Sequence, residues 1–178
     1  MAAREGHLEA VESLAADLET GGFEPVLVGG MALVVLGSRR VTRDFDFLVT
    51  PRGAPLGDLV RVMYRHRLEL VTKLDKAGDV VRTVDRAKVA VAKVEAAPSR
   101  SLFFFNERTG LKVDLLIDHP LPAHAVALRA TRAKFASRRI PVASPEDLLR
   151  LKEIASAERT SAADAQDLQF LRGLLKKR

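Results

Sequence analysis

The apolar positions change period several times along the chain, and each change marks an element. Between residues 6 and 20, Leu8, Val11, Leu14 and Leu18 recur at intervals of three and four, which gives a helix one apolar face; Gly21 and Gly22 end it. "PVLVGG" then reads as a short strand closed by glycines, and "MALVVLG" as a buried helix of about two turns that stops at Gly37. The segment "DFDFLVT", residues 44–50, alternates. Asp44 and Asp46 therefore point to one side of a strand while Phe45 and Phe47 point to the other.

Residues 54–68 suit a helix with Leu56, Leu59, Val60 and Met63 inward. From 70 to 98 the period does not separate strand from short helix, and "DVVRTV" and "AKVAVAKVEA" fit either. "SLFFFNERTGLKVDLLID" is a hairpin, two apolar runs around a polar turn with Gly110, and its second strand carries Asp114. The phenylalanines at 103–105 offer rings that can stack on a base, but two of three such rings normally fill a core, and the core is the expectation here. A Pro-rich corner at 120–122 lies within the one candidate linker, 118–124, and "RAKFASRRIPVAS" continues as extended chain or a second hairpin. Ser144 or Pro145 opens a helix through "PEDLLRLKEIASA", and a last helix covers about 161–175. The expected class is α/β in the α+β sense, a mixed sheet flanked by helices. A core unit, 1–120, precedes a smaller unit, 121–178, of extended chain and C-terminal helices.

Composition adds little beyond this. With 47% hydrophobic and 29% charged residues the chain is expected to be globular, and no stretch approaches the roughly 20 apolar residues of a membrane span. The absence of cysteine excludes disulfides, thiolate zinc sites and a cysteine nucleophile, and a cytoplasmic location is the default expectation. The four histidines show no metal-ligand spacing. A net charge of +6 favours a polyanionic partner, although Lys and Arg are spread along the whole chain.

The aspartates carry the chemistry. Aspartate is depleted in strands and costly to bury without compensation, so Asp44, Asp46 and Asp114 call for something cationic. The bland alternative is salt bridging by Arg39, Arg40 or Arg43. If the two strands are neighbours, the three carboxylates form an oxygen-only site suited to magnesium or manganese. Gly29 and Gly30, at the start of a helix, leave bare backbone for phosphate oxygens.

"VLVGGMALVVLGSRRVTRDFDFLV", with "LKVDLLI" further on, resembles the nucleotidyltransferase superfamily in the order and spacing of a Gly-Gly pair, an Asp-x-Asp strand and a later single carboxylate. Within it the chain is most similar to small bacterial and archaeal nucleotidyltransferases of abortive-infection type, many of them toxins of toxin–antitoxin pairs. The closing "SPEDLLRLKEIASAERTSAADAQDLQFL" supports that likeness. The resemblance implies that Asp44, Asp46 and Asp114 are catalytic and bind Mg2+ or Mn2+. It also implies that Gly29, Gly30, Ser38, Arg39, Thr42, Lys152 and Asp167 bind the nucleotide, with Arg40 or Arg43 as further phosphate contacts. One departure is Gly30, where many active members carry serine. The implied activity moves a nucleoside monophosphate from an NTP to an acceptor hydroxyl, on tRNA first and protein second, with an antitoxin as partner. The competing expectation is a catalytically silent nucleotide- or partner-binding module of the same fold.

Overall fold

The computed structural model describes residues 2–158 and 162–177. Its first helix, α1 (Ala2–Thr20), is followed by β1 (Glu24–Val28), α2 (Gly29–Val35), β2 (Asp44–Thr50), α3 (Leu56–Arg65), β3 (Glu69–Leu74) and β4 (Val80–Val84). Then come α4 (Ala87–Ala96), β5 (Ser101–Asn106), β6 (Leu111–Ile117), α5 (Ala123–Arg129), β7 (Thr131–Lys134), β8 (Arg139–Val142), α6 (Pro145–Glu158) and α7 (Ala162–Leu175). The first expected residue of the last helix, 161, lies outside the described residues.

All eight strands join one mixed sheet in the order β4-β3-β5-β6-β2-β1-β8-β7. At its centre β2 runs parallel to β6 and antiparallel to β1. The second hairpin forms as β7 and β8, and β8 lies parallel to β1, so residues beyond 130 extend the same sheet. The candidate linker turns directly into α5, a helix the sequence pattern did not reveal. It is seven residues long, too short for a helical period to show. The ambiguous stretch resolves as strand for "VVRTV" and helix for "AKVAVAKVEA", whose Ala90, Val91 and Val94 are buried.

One face of the sheet is dry. Phe45 and Phe47 of β2, Val113 and Leu115 of β6, and Leu102 and Phe104 of β5 pack in one core with Val11, Leu14 and Leu18 of α1 and Leu59, Val60 and Met63 of α3. Alternation then sends Asp44, Asp46 and Asp114 to the opposite face. Buried Glu12 ties α1 to the β7–β8 turn by accepting hydrogen bonds from Ser137 and from the Arg138 amide. Burial alone would raise its pKa, but those hydrogen bonds hold the carboxyl below the usual range.

Candidate active site

The site begins with strand register. Asp46 pairs with Asp114 and Asp44 with Lys112 across the parallel β2–β6 ladder, so the three carboxylates share one face. Asp44, at the start of its strand, is exposed, whereas Asp46 and Asp114 are half-buried. Ser101 on β5 donates its hydroxyl hydrogen to Asp114 Oδ1 at 2.9 Å and so fixes that carboxylate.

Negative charge is concentrated on this face. Burial pushes the Asp46 carboxyl up to about 7; Asp114 and Asp44 add to the rise, and Lys152 and Arg40 oppose it. Asp114 is also raised, first by burial and then by Asp44, against the Ser101 hydrogen bond that lowers it. Among the described residues no ion pair joins Asp44, Asp46 or Asp114 to any of the nearby arginines, so the salt-bridge alternative is not realised.

Backbone closes in where side chains are missing. Gly29 has φ +63°, and a Cβ on it would overlap Asp46 Oδ2, so only glycine lets β2 approach the start of α2 this closely. Gly30 is filled differently: a Cβ there would lie 2.8 Å from Cζ of Arg40. The guanidinium thus occupies the space that a serine side chain at position 30 would enter. Arg40 in turn donates to Asp167 of α7, and Lys152 of α6 reaches Asp167 at 2.7 Å and Asp164 at 3.0 Å. Asp167 is 3% exposed, so it holds the two cations from behind.

A cleft of about 530 Å³ unites these groups; Gly29, Gly30, Arg40, Thr42, the three aspartates and Lys152 line it. A cavity of similar size, about 540 Å³, lies between the start of α1, the end of α3 and the β5–β6 turn. It contains none of the three aspartates, so chemistry and not size singles out the first. Of the residues expected around the nucleotide, Ser38, Arg39, Arg43 and Asp167 do not line the cleft; Asp167 sits behind it on Arg40 and Lys152. Ser38 instead accepts a hydrogen bond from the Arg40 amide at 3.3 Å, which shapes the loop that delivers the guanidinium. The far wall was not legible in the sequence: His119, Pro120, Leu148, Leu151, Ile154 and Ala155 come from the β6–α5 corner and from α6. The regular spacing of the α6 residues was the available signal, and it did not say which surface they would face.

The phenylalanine triplet departs from expectation. Phe104 is fully buried, but Phe103 and Phe105 are half-buried on the opposite side of β5 and are not part of the core. Strand alternation requires this, because adjacent residues cannot share a face.

No group of three or more His, Cys, Asp or Glu side chains among the described residues is drawn together into a formed metal cage. The donor chemistry nevertheless fits a divalent cation, since three carboxylates lie on one face and two of them are held above their ordinary pKa by burial and mutual repulsion.

Known proteins share this architecture. The structure aligns with an antigenic nucleotidyltransferase-like protein from Paracoccidioides brasiliensis at TM-score 0.59 and 16% identity, covering 94% of this chain and 76% of that one. It aligns with ANT(2″)-Ia in complex with adenylyl-2″-tobramycin at TM-score 0.61 and 12% identity, covering 94% and 88%. For the lincomycin-bound lincosamide antibiotic adenylyltransferase LnuA the values are 0.57 and 13%, covering 92% and 95%. At such identities these likenesses establish the fold. A comparison with curated protein sequences found no match. The model of one family, described as "Nucleotidyl transferase AbiEii toxin, Type IV TA system", matches residues 12–173. With the Gly-Gly pair against the Asp-x-Asp strand and a third carboxylate in register, the chain belongs to this AbiEii family of toxin–antitoxin nucleotidyltransferases.

Proposed function

We propose that the cleft transfers a nucleoside monophosphate from an NTP to a hydroxyl of an RNA acceptor, tRNA being the leading candidate, and that an antitoxin protein restrains it. The observation that carries this reading is the Asp46–Asp114 register with Asp44 two residues away, which leaves a patch of carboxylates facing open space.

Asp44, Asp46 and Asp114 would hold magnesium or manganese. When bound, such a cation supplies positive charge against the phosphates and lowers the pKa of a hydroxyl. The chain's own groups do the rest. Gly29 and Gly30 line the cleft, where their backbone would meet phosphate oxygens beside Asp46 and Arg40. Arg40 and Lys152, held in place by Asp167, present positive charge to the cleft and stabilise the charge that develops on the leaving pyrophosphate. The acceptor oxygen bonds to the α-phosphorus, and the bond from that phosphorus to the bridging oxygen of the β-phosphate breaks. Asp114, steadied by Ser101, would take the acceptor proton.

The test is transfer of label from each α-labelled NTP to total tRNA and to the protein itself, with either metal, comparing wild type with Asp46→Ala. Label in RNA that disappears in the variant supports the reading. Label in protein alone reassigns the acceptor. No label from any NTP moves the weight to a nucleotide- or partner-binding module.

A further inference from the structure

The sheet face that carries the aspartates does not end with them. Phe103 is the cross-strand partner of Asp114, and Phe105 is the partner of Lys112, so both rings stand on the side of the catalytic carboxylates. The Ser101–Asp114 hydrogen bond confirms the facing, because Ser101, Phe103 and Phe105 alternate along one strand. Neither ring joins the core, and neither contacts another aromatic ring among the described residues. Lys112 lies between the rings and Asp44 and makes no ion pair among the described residues. Arg100, at the head of β5, is exposed and leans on His119 of the cleft wall at 3.4 Å. Past Phe105 the face turns polar, with the Thr83 hydroxyl donating to Glu69 at 2.6 Å.

Two half-buried rings outside the core, beside a lysine that makes no ion pair among the described residues, stand on the sheet face that carries the carboxylates. Rings stack on bases of any sequence, and cations follow the backbone. We propose that Phe103 and Phe105 are a stacking platform for the single-stranded 3′ end of the RNA acceptor, which brings its terminal hydroxyl to Asp114. The proposal rests on the RNA-acceptor reading above. Local cations and continuity with the cleft select this occupant: Lys112, with no ion pair among the described residues, and the exposed Arg100 offer positive charge to an RNA backbone, and the platform adjoins the site where the hydroxyl must arrive.

The experiment measures anisotropy of a fluorescein-labelled single-stranded 12-nucleotide RNA with a free 3′-hydroxyl, on wild type, Phe103→Ala/Phe105→Ala and Phe103→Tyr/Phe105→Trp. Binding of α-labelled NTPs and the melting temperature are followed in parallel. The double alanine variant is expected to lose RNA affinity by roughly 10-fold or more. NTP binding should stay at the wild-type level, the melting temperature should show the variant still folded at the assay temperature, and the aromatic replacements should retain RNA binding. In transfer assays the KM for RNA should rise while that for NTP does not. RNA affinity unchanged in the alanine variant, or no RNA binding by a wild type that does bind NTP, overturns the platform. Ring-dependent RNA binding with no label transfer by wild type leaves the platform standing and removes the transferase reading instead.

Discussion

Gly29 stands directly over Asp46: a Cβ at position 29 would lie 2.6 Å from the Asp46 carboxyl carbon, and φ at Gly29 is +63°. The glycine and the aspartate, 17 residues apart in sequence, are therefore one structural unit. Gly29→Ala is expected to displace Asp46 and to strain the backbone at once. Transferase activity should fall by about 100-fold or more, the scale on which misplacing a reacting group by about an ångström acts. Steady-state kinetics, with circular dichroism as a check on folding, would show it. Activity near wild type would mean that Asp46 does not need this placement.

Gly30 and Arg40 compete for one volume. Gly30→Ser should lower the melting temperature, because the guanidinium must leave its position against residue 30 and loosen its bond to Asp167. In the Gly30→Ser/Arg40→Ala double variant the serine has room. The two changes together are expected to cost less than the sum of each alone, as is common for residues in contact. A double-mutant cycle by chemical denaturation reads the coupling directly, and strict additivity would contradict the packing described.

The pKa of Asp46 makes stability depend on pH with a definite sign. Folded, this carboxyl titrates at about 7; its ordinary value is 3.8. Between those values the folded state holds a proton that the unfolded state has released. The contribution is complete below about 4 and is lost as pH rises towards 7. In metal-free protein the loss has an upper bound of roughly 4 kcal/mol. Asp46→Asn cannot ionise, so it should be inactive yet more stable than wild type at pH 8, with a flatter pH profile. Added magnesium should raise the melting temperature of wild type at pH 8 and leave that of Asp46→Asn nearly unchanged.

Lys152 is the charge that Asp164 and Asp167 share. Lys152→Met keeps the apolar stem but leaves buried carboxylates less compensated, at an expected cost of roughly 3 kcal/mol. Nucleotide affinity should fall in the same variant, measured by equilibrium binding well below its melting temperature. A variant that binds as wild type does would make Lys152 a structural tie between α6 and α7 only.

Ser144 caps the helix that carries Lys152. Its hydroxyl accepts the Asp147 amide at 3.1 Å and donates to the Asp147 carboxylate at 2.9 Å, while Arg129 clamps that carboxylate at 2.7 and 2.9 Å. Ser144→Ala should cost about 1 kcal/mol, the usual worth of an N-cap. The loss should appear in denaturant midpoints with little change in the turnover of folded enzyme.

What the residues alone determined follows from local periodicity. The two-residue alternation of "DFDFLVT" and "LKVDLLI" put the aspartates on single strand faces, and the spacing of leucines in α1 and the Ser-Pro start of α6 marked helices, since each depends only on neighbours a few positions away. Likewise the Gly-Gly pair ahead of the Asp-x-Asp strand was visible as a motif. Which strand lies beside which is not a local property. The parallel pairing that places Asp114 opposite Asp46 joins segments 68 residues apart, and only the packed sheet decides it. The same holds for Arg40. Nothing in "GSRRVTRD" separates it from Arg39 and Arg43, and its choice comes from Asp167, 127 positions away on α7. Phe103 and Phe105 show the limit most plainly. Their alternation with Phe104 was in the sequence, but which side is dry depends on the core that packs around Phe104 and leaves Phe103 and Phe105 half-buried beside Asp114 and Lys112. Burial is settled by what the whole chain packs against a surface, and that is information no short window of sequence contains.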